Sequence, residues 1–123
     1  MFKAGVIGCR GIGVAHATGI VGSDQAQLAA ACDLDQEMLD DFRQRWPDEE
    51  IAQYKNHREM LEKEALDLVT VATSDHRHAD LVVDAAEAGA KGIFCEKPLA
   101  TNLVDADRMI AACEAAGVRL GLA

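Results

Sequence analysis

A glycine-rich segment near the start of the chain has the residue types of a loop that wraps a phosphate group. A dinucleotide-binding fingerprint places glycine at its first, third and sixth positions. Here Gly8 and Gly13 hold the outer positions, while Arg10 takes the middle one and Gly11 follows it. Free N–H groups at the start of the next helix attract anions. The sequence therefore predicts that the pyrophosphate is contacted by Gly8, Cys9, Arg10, Gly11, Ile12 and Gly13. The alternative is a tight turn that binds no ligand.

An acidic residue stands 20 positions after the last of these glycines: Asp33, followed by Leu34. A carboxylate at that distance accepts hydrogen bonds from the adenosine ribose hydroxyls of a dinucleotide. The same charge repels a 2′-phosphate, so Asp33 favours NAD over NADP. The alternative is that Asp33 caps a helix that begins near Asp35.

A polar cluster, Thr73-Ser74-Asp75-His76-Arg77-His78, follows a run of β-branched residues. Hydroxyl and N–H groups at this position would face the nicotinamide half of a bound dinucleotide. The two histidines are two residues apart and so point to different sides of a helix. We therefore predict no metal site. His16 and His57 stand in no pattern that suggests a role.

The tripeptide Glu96-Lys97-Pro98 places two charges directly after another apolar run. A lysine at such a strand end can hydrogen-bond a substrate hydroxyl and take part in proton transfer. Pro98 restricts Lys97 to an extended backbone, and the bond between them is a candidate for the cis form. The alternative is a surface turn in which Glu96 and Lys97 form a solvated ion pair.

These four segments lie at the ends of predicted strands. Short apolar runs alternate with helical patterns, which predicts βαβ units, a doubly wound parallel sheet and an α/β, Rossmann-like single domain over residues 1–123. The predicted strands are 3–8, 25–33, 51–54, 66–73, 92–95 and 118–122. The predicted helices are 11–21, 35–46, a short one capped by Asn56, 76–88, and one capped by Thr101 with an inward stripe of Leu103, Ala106, Ile110 and Cys113.

Composition narrows the function classes. The net charge is −9 and only 4% of the residues are aromatic, which argues against binding to nucleic acid or to an anionic membrane surface. No apolar run is long enough for a membrane span, and the first residues lack a signal peptide. The four cysteines form no CxxC pair, which favours reduced thiols and a cytoplasmic location.

Taken together, the segments resemble the N-terminal nucleotide-binding domain of the glucose-fructose oxidoreductase / inositol dehydrogenase family (Gfo/Idh/MocA). The similar stretches are AGVIGCRGIGVAHA (4–17), ACDLD (31–35), residues 71–102 with their EKP tripeptide, and GVRLGLA (117–123). The resemblance implies NAD(P)-dependent oxidation or reduction at a hydroxyl-bearing carbon of a sugar, polyol or related compound. It also implies that Lys97 is catalytic and that the nicotinamide side is bordered by Thr73, Ser74, Asp75, His78, Glu96 and Lys97.

Members of this family continue into a second α/β domain that supplies the substrate pocket. The resemblance therefore implies a small-molecule substrate in the full-length context. An oligomer built through the sheet of the second domain is possible, and the sequence does not decide the oligomeric state. It implies further that residues 1–123 alone are inactive. The alternative is a stand-alone module that binds or senses a dinucleotide without chemistry, while a CoA-binding or redox-sensing module leaves the EKP tripeptide without a role.

Overall fold

Six parallel strands form one sheet in the order β3-β2-β1-β4-β5-β6 in the computed structural model, which describes residues 1–123. The strand order reverses between β1 and β4, and ligands of such sheets bind beyond the carboxyl ends of the strands at that reversal. The predicted doubly wound fold is confirmed. The strands are β1 Phe2–Ile7, β2 Ala26–Cys32, β3 Ala52–Tyr54, β4 Leu68–Val71, β5 Gly92–Cys95 and β6 Arg119–Leu122.

Five helices cover the two faces of the sheet and create two separate cores. The helices are α1 Gly11–Val21, α2 Gln36–Gln44, α3 His57–Glu64, α4 His78–Glu87 and α5 Leu103–Ala116. Residues of α1 and α2 pack with Val6 and Leu28 in the smaller core. Residues of α3, α4 and α5 pack with Val69 and Ile93 in the larger one. Strands between the two cores are apolar on both sides, which explains the nearly continuous hydrophobic run of β4.

Helix starts differ in how their first N–H groups are satisfied. Asp35 caps α2 with a side-chain oxygen, and Asn56 caps α3, as predicted. The cap of α5 is Asn102, which accepts from the Asp105 N–H at 2.8 Å, so the predicted cap at Thr101 is wrong. Asn102 immediately precedes the first residue of α5, and from this N-cap position its side-chain oxygen can reach the Asp105 N–H. Arg10 precedes α1 and gives it no side-chain cap.

The buried face of α5 also differs from the prediction. Leu103 and Ile110 are exposed, with 82% and 43% of their surface accessible, whereas Met109 and Cys113 are buried. Met109 and Ile110 are adjacent apolar residues, so the sequence pattern fits two overlapping faces of the helix. Packing against α4 and β6 selects the face that carries Met109.

The start of α1 lies directly on the loop that follows β1. A Cβ atom on Gly13 would stand 1.7 Å from the Gly8 carbonyl oxygen. Gly8 itself has φ +98°, and a Cβ there would stand 2.5 Å from the Ala72 carbonyl oxygen after β4. Glycine at these two positions therefore allows α1, the first loop and the end of β4 to meet.

Replacing Gly13 with alanine should destabilise the fold, because both atoms of the new contact are fixed by backbone. We expect a loss of about 2 kcal/mol or more, which lowers Tm by roughly 5–15 °C in a chain of this size. Gly19→Ala is the matched control, since Gly19 lies in the same helix with no atom within 4 Å of its Cβ position. That variant should gain up to about 1 kcal/mol from helix propensity. Equal melting temperatures for the two variants would contradict the packing argument.

Candidate functional site

A cleft of about 360 Å³ opens at the carboxyl ends of β1, β2 and β4, where the strand order reverses. Its volume lies within the range of small-molecule sites. Six of the residues that the sequence predicts for cofactor binding line it: Gly8, Arg10, Asp33, Leu34, Thr73 and Ser74. The remaining lining residues are Ile7, Cys32, Asp35, Lys55, Ala72 and Arg77.

The N-terminus of α1 borders this cleft and offers free backbone donors. The first intrahelical bond runs from the Val14 N–H to the Arg10 carbonyl oxygen at 2.9 Å. Earlier N–H groups of a helix have no intrahelical acceptor, and here no side chain caps them. A Cβ on Gly11 would meet no atom within 4 Å, so open space adjoins these donors. This combination fits a phosphate group.

The Asp33 carboxylate ties the first loop to the end of β2. Its Oδ2 accepts from the Cys9 N–H and its Oδ1 accepts from the Asp35 N–H, both at 2.9 Å. Each oxygen keeps a second lone pair, because a carboxylate has about four acceptor sites. The N-cap of α2 is Asp35 and not Asp33.

Three cationic side chains line the cleft of a chain whose net charge is −9: Arg10, Lys55 and Arg77. The Arg10 guanidinium is 72% exposed and lies 3.9 Å from the Asp35 carboxylate. Sequence reasoning missed Lys55 and Arg77 as cleft residues. The signal for Lys55 was available, since it follows β3 directly and the end of β3 belongs to the same edge of the sheet.

His78 joins the loop after β4 to the loop after β5. Its ring is 1% exposed, with Nδ1 at 2.8 Å from the Pro98 carbonyl oxygen and Nε2 at 3.2 Å from the Thr73 carbonyl oxygen. Both ring nitrogens face backbone carbonyl oxygens, which only accept, so a neutral ring donates to one of them, and the shorter distance favours the Nδ1–H donating to Pro98. His78 does not line the cleft. The contact with the nicotinamide side that the resemblance implies for His78 stays a prediction; in the structure the buried ring lies between the loop after β4 and the loop after β5.

Glu96 and Lys97 lie at the end of β5, outside the cleft that the first loop lines. Glu96 Oε1 accepts from His16 Nε2 at 2.9 Å, and Oε2 lies 3.3 Å from the Lys97 backbone N–H. The hydrogen bond from His16 is the main cause that lowers the pKa of the Glu96 carboxyl below its usual value. The Lys97–Pro98 peptide bond is cis. The alternative of a Glu96–Lys97 ion pair does not match this arrangement, because Glu96 pairs with His16.

The sequence suggested no role for His16, but the structure places its ring against Glu96 at the end of β5. It follows Gly13 by three positions on α1, so the two residues share the helix side that faces the sheet. Both Gly13 and Ala17 on that side are buried. The helical spacing from Gly13 was the available signal.

The cysteines lie in the interior of the fold. All four cysteines are free and buried, and burial is the main cause that raises the pKa of the Cys9 and Cys32 thiols to about 12 and that of Cys95 to about 11. No group of three or more His, Cys, Asp or Glu side chains is arranged to hold a metal ion. No helix combines the length and apolar character that crossing a membrane requires.

Comparison with known proteins gives consistent matches along the chain. D-apiose dehydrogenase from Paraburkholderia graminis is 41% identical over 119 residues, which are 97% of this chain and 31% of the relative. Myo-inositol 2-dehydrogenase from Thermotoga maritima is 38% identical and is matched over 96% of this chain and 34% of its own length. This chain therefore spans about a third of the length of these curated relatives.

Among solved structures, the WlbA dehydrogenase from Bordetella pertussis, in complex with NADH and UDP-GlcNAcA, superposes with a TM-score of 0.88 at 30% identity. The match covers 99% of this chain and 36% of that protein. The family model described as "Oxidoreductase family, NAD-binding Rossmann fold" matches residues 2–123. This chain belongs to that family, Gfo/Idh/MocA, whose N-terminal NAD-binding domain it matches.

Proposed function

We propose that this chain is the NAD-binding part of an oxidoreductase that acts on a hydroxyl-bearing carbon of a sugar, polyol or related compound. The observation that carries the proposal is the meeting of the uncapped α1 N-terminus with the Asp33 carboxylate in one cleft. In dinucleotide-binding folds, a helix N-terminus binds the pyrophosphate and a carboxylate about 20 residues further along the chain binds the ribose. The names of two relatives, D-apiose dehydrogenase and myo-inositol 2-dehydrogenase, support the substrate class.

In this proposal, each part of the cleft binds one part of the dinucleotide. Backbone donors of the first loop hold the pyrophosphate, and Asp33 with Leu34 holds the adenosine ribose. The loop after β4 borders the nicotinamide side through Thr73, Ser74 and Asp75, while His78 fixes that loop to Pro98. The pyrophosphate contacts come from Gly8, Cys9, Arg10, Gly11, Ile12 and Gly13.

Lys97 is the proposed proton-transfer residue. Bound NAD(H) accepts or supplies the hydride, and the substrate hydroxyl must lose or gain a proton in the same reaction. The exposed ammonium of Lys97 takes part in no ion pair, and it can hydrogen-bond a substrate oxygen and exchange that proton. The substrate carbon must also be held about 3–3.5 Å from the nicotinamide. We propose that residues beyond these 123 supply that positioning, because the relatives are about three times as long.

Replacing Gly11 with leucine should weaken NADH binding without lowering stability. The new side chain would fill the open space beside the first N–H groups of α1, so we expect a Kd at least about tenfold higher by titration calorimetry. Gly19→Leu is the matched control, because it adds the same side chain at an open position of the same helix. Its Kd should be unchanged. A chain that binds no NADH at all would overturn the proposed function.

Asp33 should make the cleft prefer NADH over NADPH. Asp33→Asn removes the charge that repels a 2′-phosphate and keeps one accepting oxygen, but its amide nitrogen would face one of the two backbone N–H groups that Asp33 accepts from, so a melting curve must first show that the fold is intact. Arg10, Lys55 and Arg77 remain, so the ratio of the two dissociation constants should shift toward NADPH by about tenfold or more. Adding Lys55→Ala should reverse part of that shift. Tighter binding of NADPH than NADH by the unsubstituted chain would contradict the assignment of Asp33.

The 123-residue chain should bind NAD yet give no turnover with polyols or sugars. The test follows absorbance of the reduced cofactor with a panel that includes myo-inositol and D-apiose. Cofactor binding without turnover is the expected result, because we propose that residues beyond these 123 position the substrate carbon. Turnover that disappears in Lys97→Ala would show instead that the chain is a self-sufficient enzyme.

A further inference from the structure

We propose that His16 is a positioning residue for Lys97: it draws the Glu96 carboxylate toward α1 and thereby leaves the Lys97 ammonium without an ion-pair partner. The inference rests on the proposed role of Lys97 in proton transfer. It assigns a function to a histidine 80 positions away from Glu96 in the sequence.

The geometry of the His16 ring is set by one polar contact and one aromatic contact. Nε2 lies 2.9 Å from Glu96 Oε1, and the ring meets Phe94 edge-on with centroids 5.1 Å apart. A carboxylate oxygen only accepts, so Nε2 carries the hydrogen and donates it. The side chain is 8% exposed, against 20% for Glu96, so the bond is largely shielded from water.

Packing alone does not explain a histidine at this position. The second ring nitrogen, Nδ1, is buried without a hydrogen-bond partner. Such a nitrogen costs free energy that an apolar side chain of similar size would avoid. What histidine offers over leucine at position 16 is therefore the donor that reaches Glu96.

The hydrogen bond between Glu96 and His16 affects whether the Lys97 ammonium can form an ion pair. Glu96 is the carboxylate nearest in sequence to the Lys97 ammonium. Other lysines of the chain do pair with a carboxylate, as in Lys63–Glu59 at 2.9 Å and Lys91–Asp67 at 3.4 Å. The bond to His16 and the contact with the Lys97 backbone N–H hold the Glu96 carboxylate in an orientation in which neither oxygen lies within ion-pair distance of the Lys97 ammonium.

An available ammonium matters for proton transfer. An ion pair with a neighbouring carboxylate would compete with the substrate oxygen for the donors of Lys97 and would hold the side chain away from the reacting group. The same bond links two parts of the site, since α1 begins at the phosphate-binding loop and Glu96 directly precedes Lys97. His16 thus fixes the end of β5 relative to the helix on which the cofactor rests.

The test measures the reactivity of Lys97 by competitive acetylation with trace acetic anhydride, read by mass spectrometry against Lys91 as internal reference. Four chains are compared: unsubstituted, His16→Leu, His16→Gln, and His16→Leu combined with Glu96→Gln. Leucine keeps the packing on Phe94 and removes the donor, whereas glutamine keeps an N–H donor. Circular dichroism confirms that each variant is folded.

His16→Leu should lower the relative acetylation rate of Lys97 by about two- to fivefold, the range that an ion pair between exposed side chains gives. His16→Gln should stay close to the unsubstituted chain, and adding Glu96→Gln should restore the rate that His16→Leu loses. An unchanged or higher rate in His16→Leu, or no restoration by Glu96→Gln, would overturn the proposal. A structural role alone predicts no rescue by Glu96→Gln.

A second readout does not depend on the stability of His16→Leu. In ¹⁵N-edited spectra of the unsubstituted chain, the Nε2-bound hydrogen of His16 should give a slowly exchanging downfield signal that shifts in Glu96→Gln. Absence of that signal would overturn the proposal. Neither readout uses a cofactor, so both are separate from the NADH titration that tests the proposed function.

Discussion

The close approach of α1 to the loop after β1 is the constraint on which the rest of the site depends. No side chain fits between Gly13 and the Gly8 carbonyl oxygen, where a Cβ would stand at 1.7 Å. This contact places the free N–H groups of α1 beside the ends of β1 and β4. It also brings His16, one turn further along the helix, over the end of β5. The proposed phosphate site and the placement of Glu96 therefore depend on the same backbone contact.

Three hydrogen bonds then join the strand ends into one site, and each connects residues far apart in the sequence. The Cys9–Asp33 bond spans 24 residues, the His78–Pro98 contact spans 20 and the His16–Glu96 bond spans 80. Each bond ends on a loop that carries a proposed ligand-binding or catalytic residue. The loops are thus held by specific polar partners in addition to the packing of the strands below them.

This long-range character explains what the sequence could predict and what it could not. Strand and helix order follow from local apolar patterns, and the end of each strand is then a predictable place for polar residues. Asp33 is recognisable because its distance from Gly13 reflects one βαβ unit. His16 and His78 are different, since their partners are fixed only when the sheet brings β1, β4 and β5 together. The prediction of the buried face of α5 was wrong for a local reason. Met109 and Ile110 belong to two overlapping apolar stripes, and only packing against α4 selects the one that is buried.

The charged side chains divide the proposed site into a part suited to anions and a part in which the Lys97 ammonium forms no ion pair. At the first loop, Arg10, Lys55 and Arg77 surround a cleft that also holds Asp33 and Asp35. The acids there discriminate between ligands that the cations and the helix N-terminus attract. At the end of β5 the charges are arranged differently: His16 forms a hydrogen bond with Glu96, the carboxylate next to Lys97 in the sequence. In the proposed arrangement, backbone donors and charge around α1 hold the dinucleotide, while the Lys97 ammonium forms no ion pair with the neighbouring Glu96 and stays available for the proposed proton transfer.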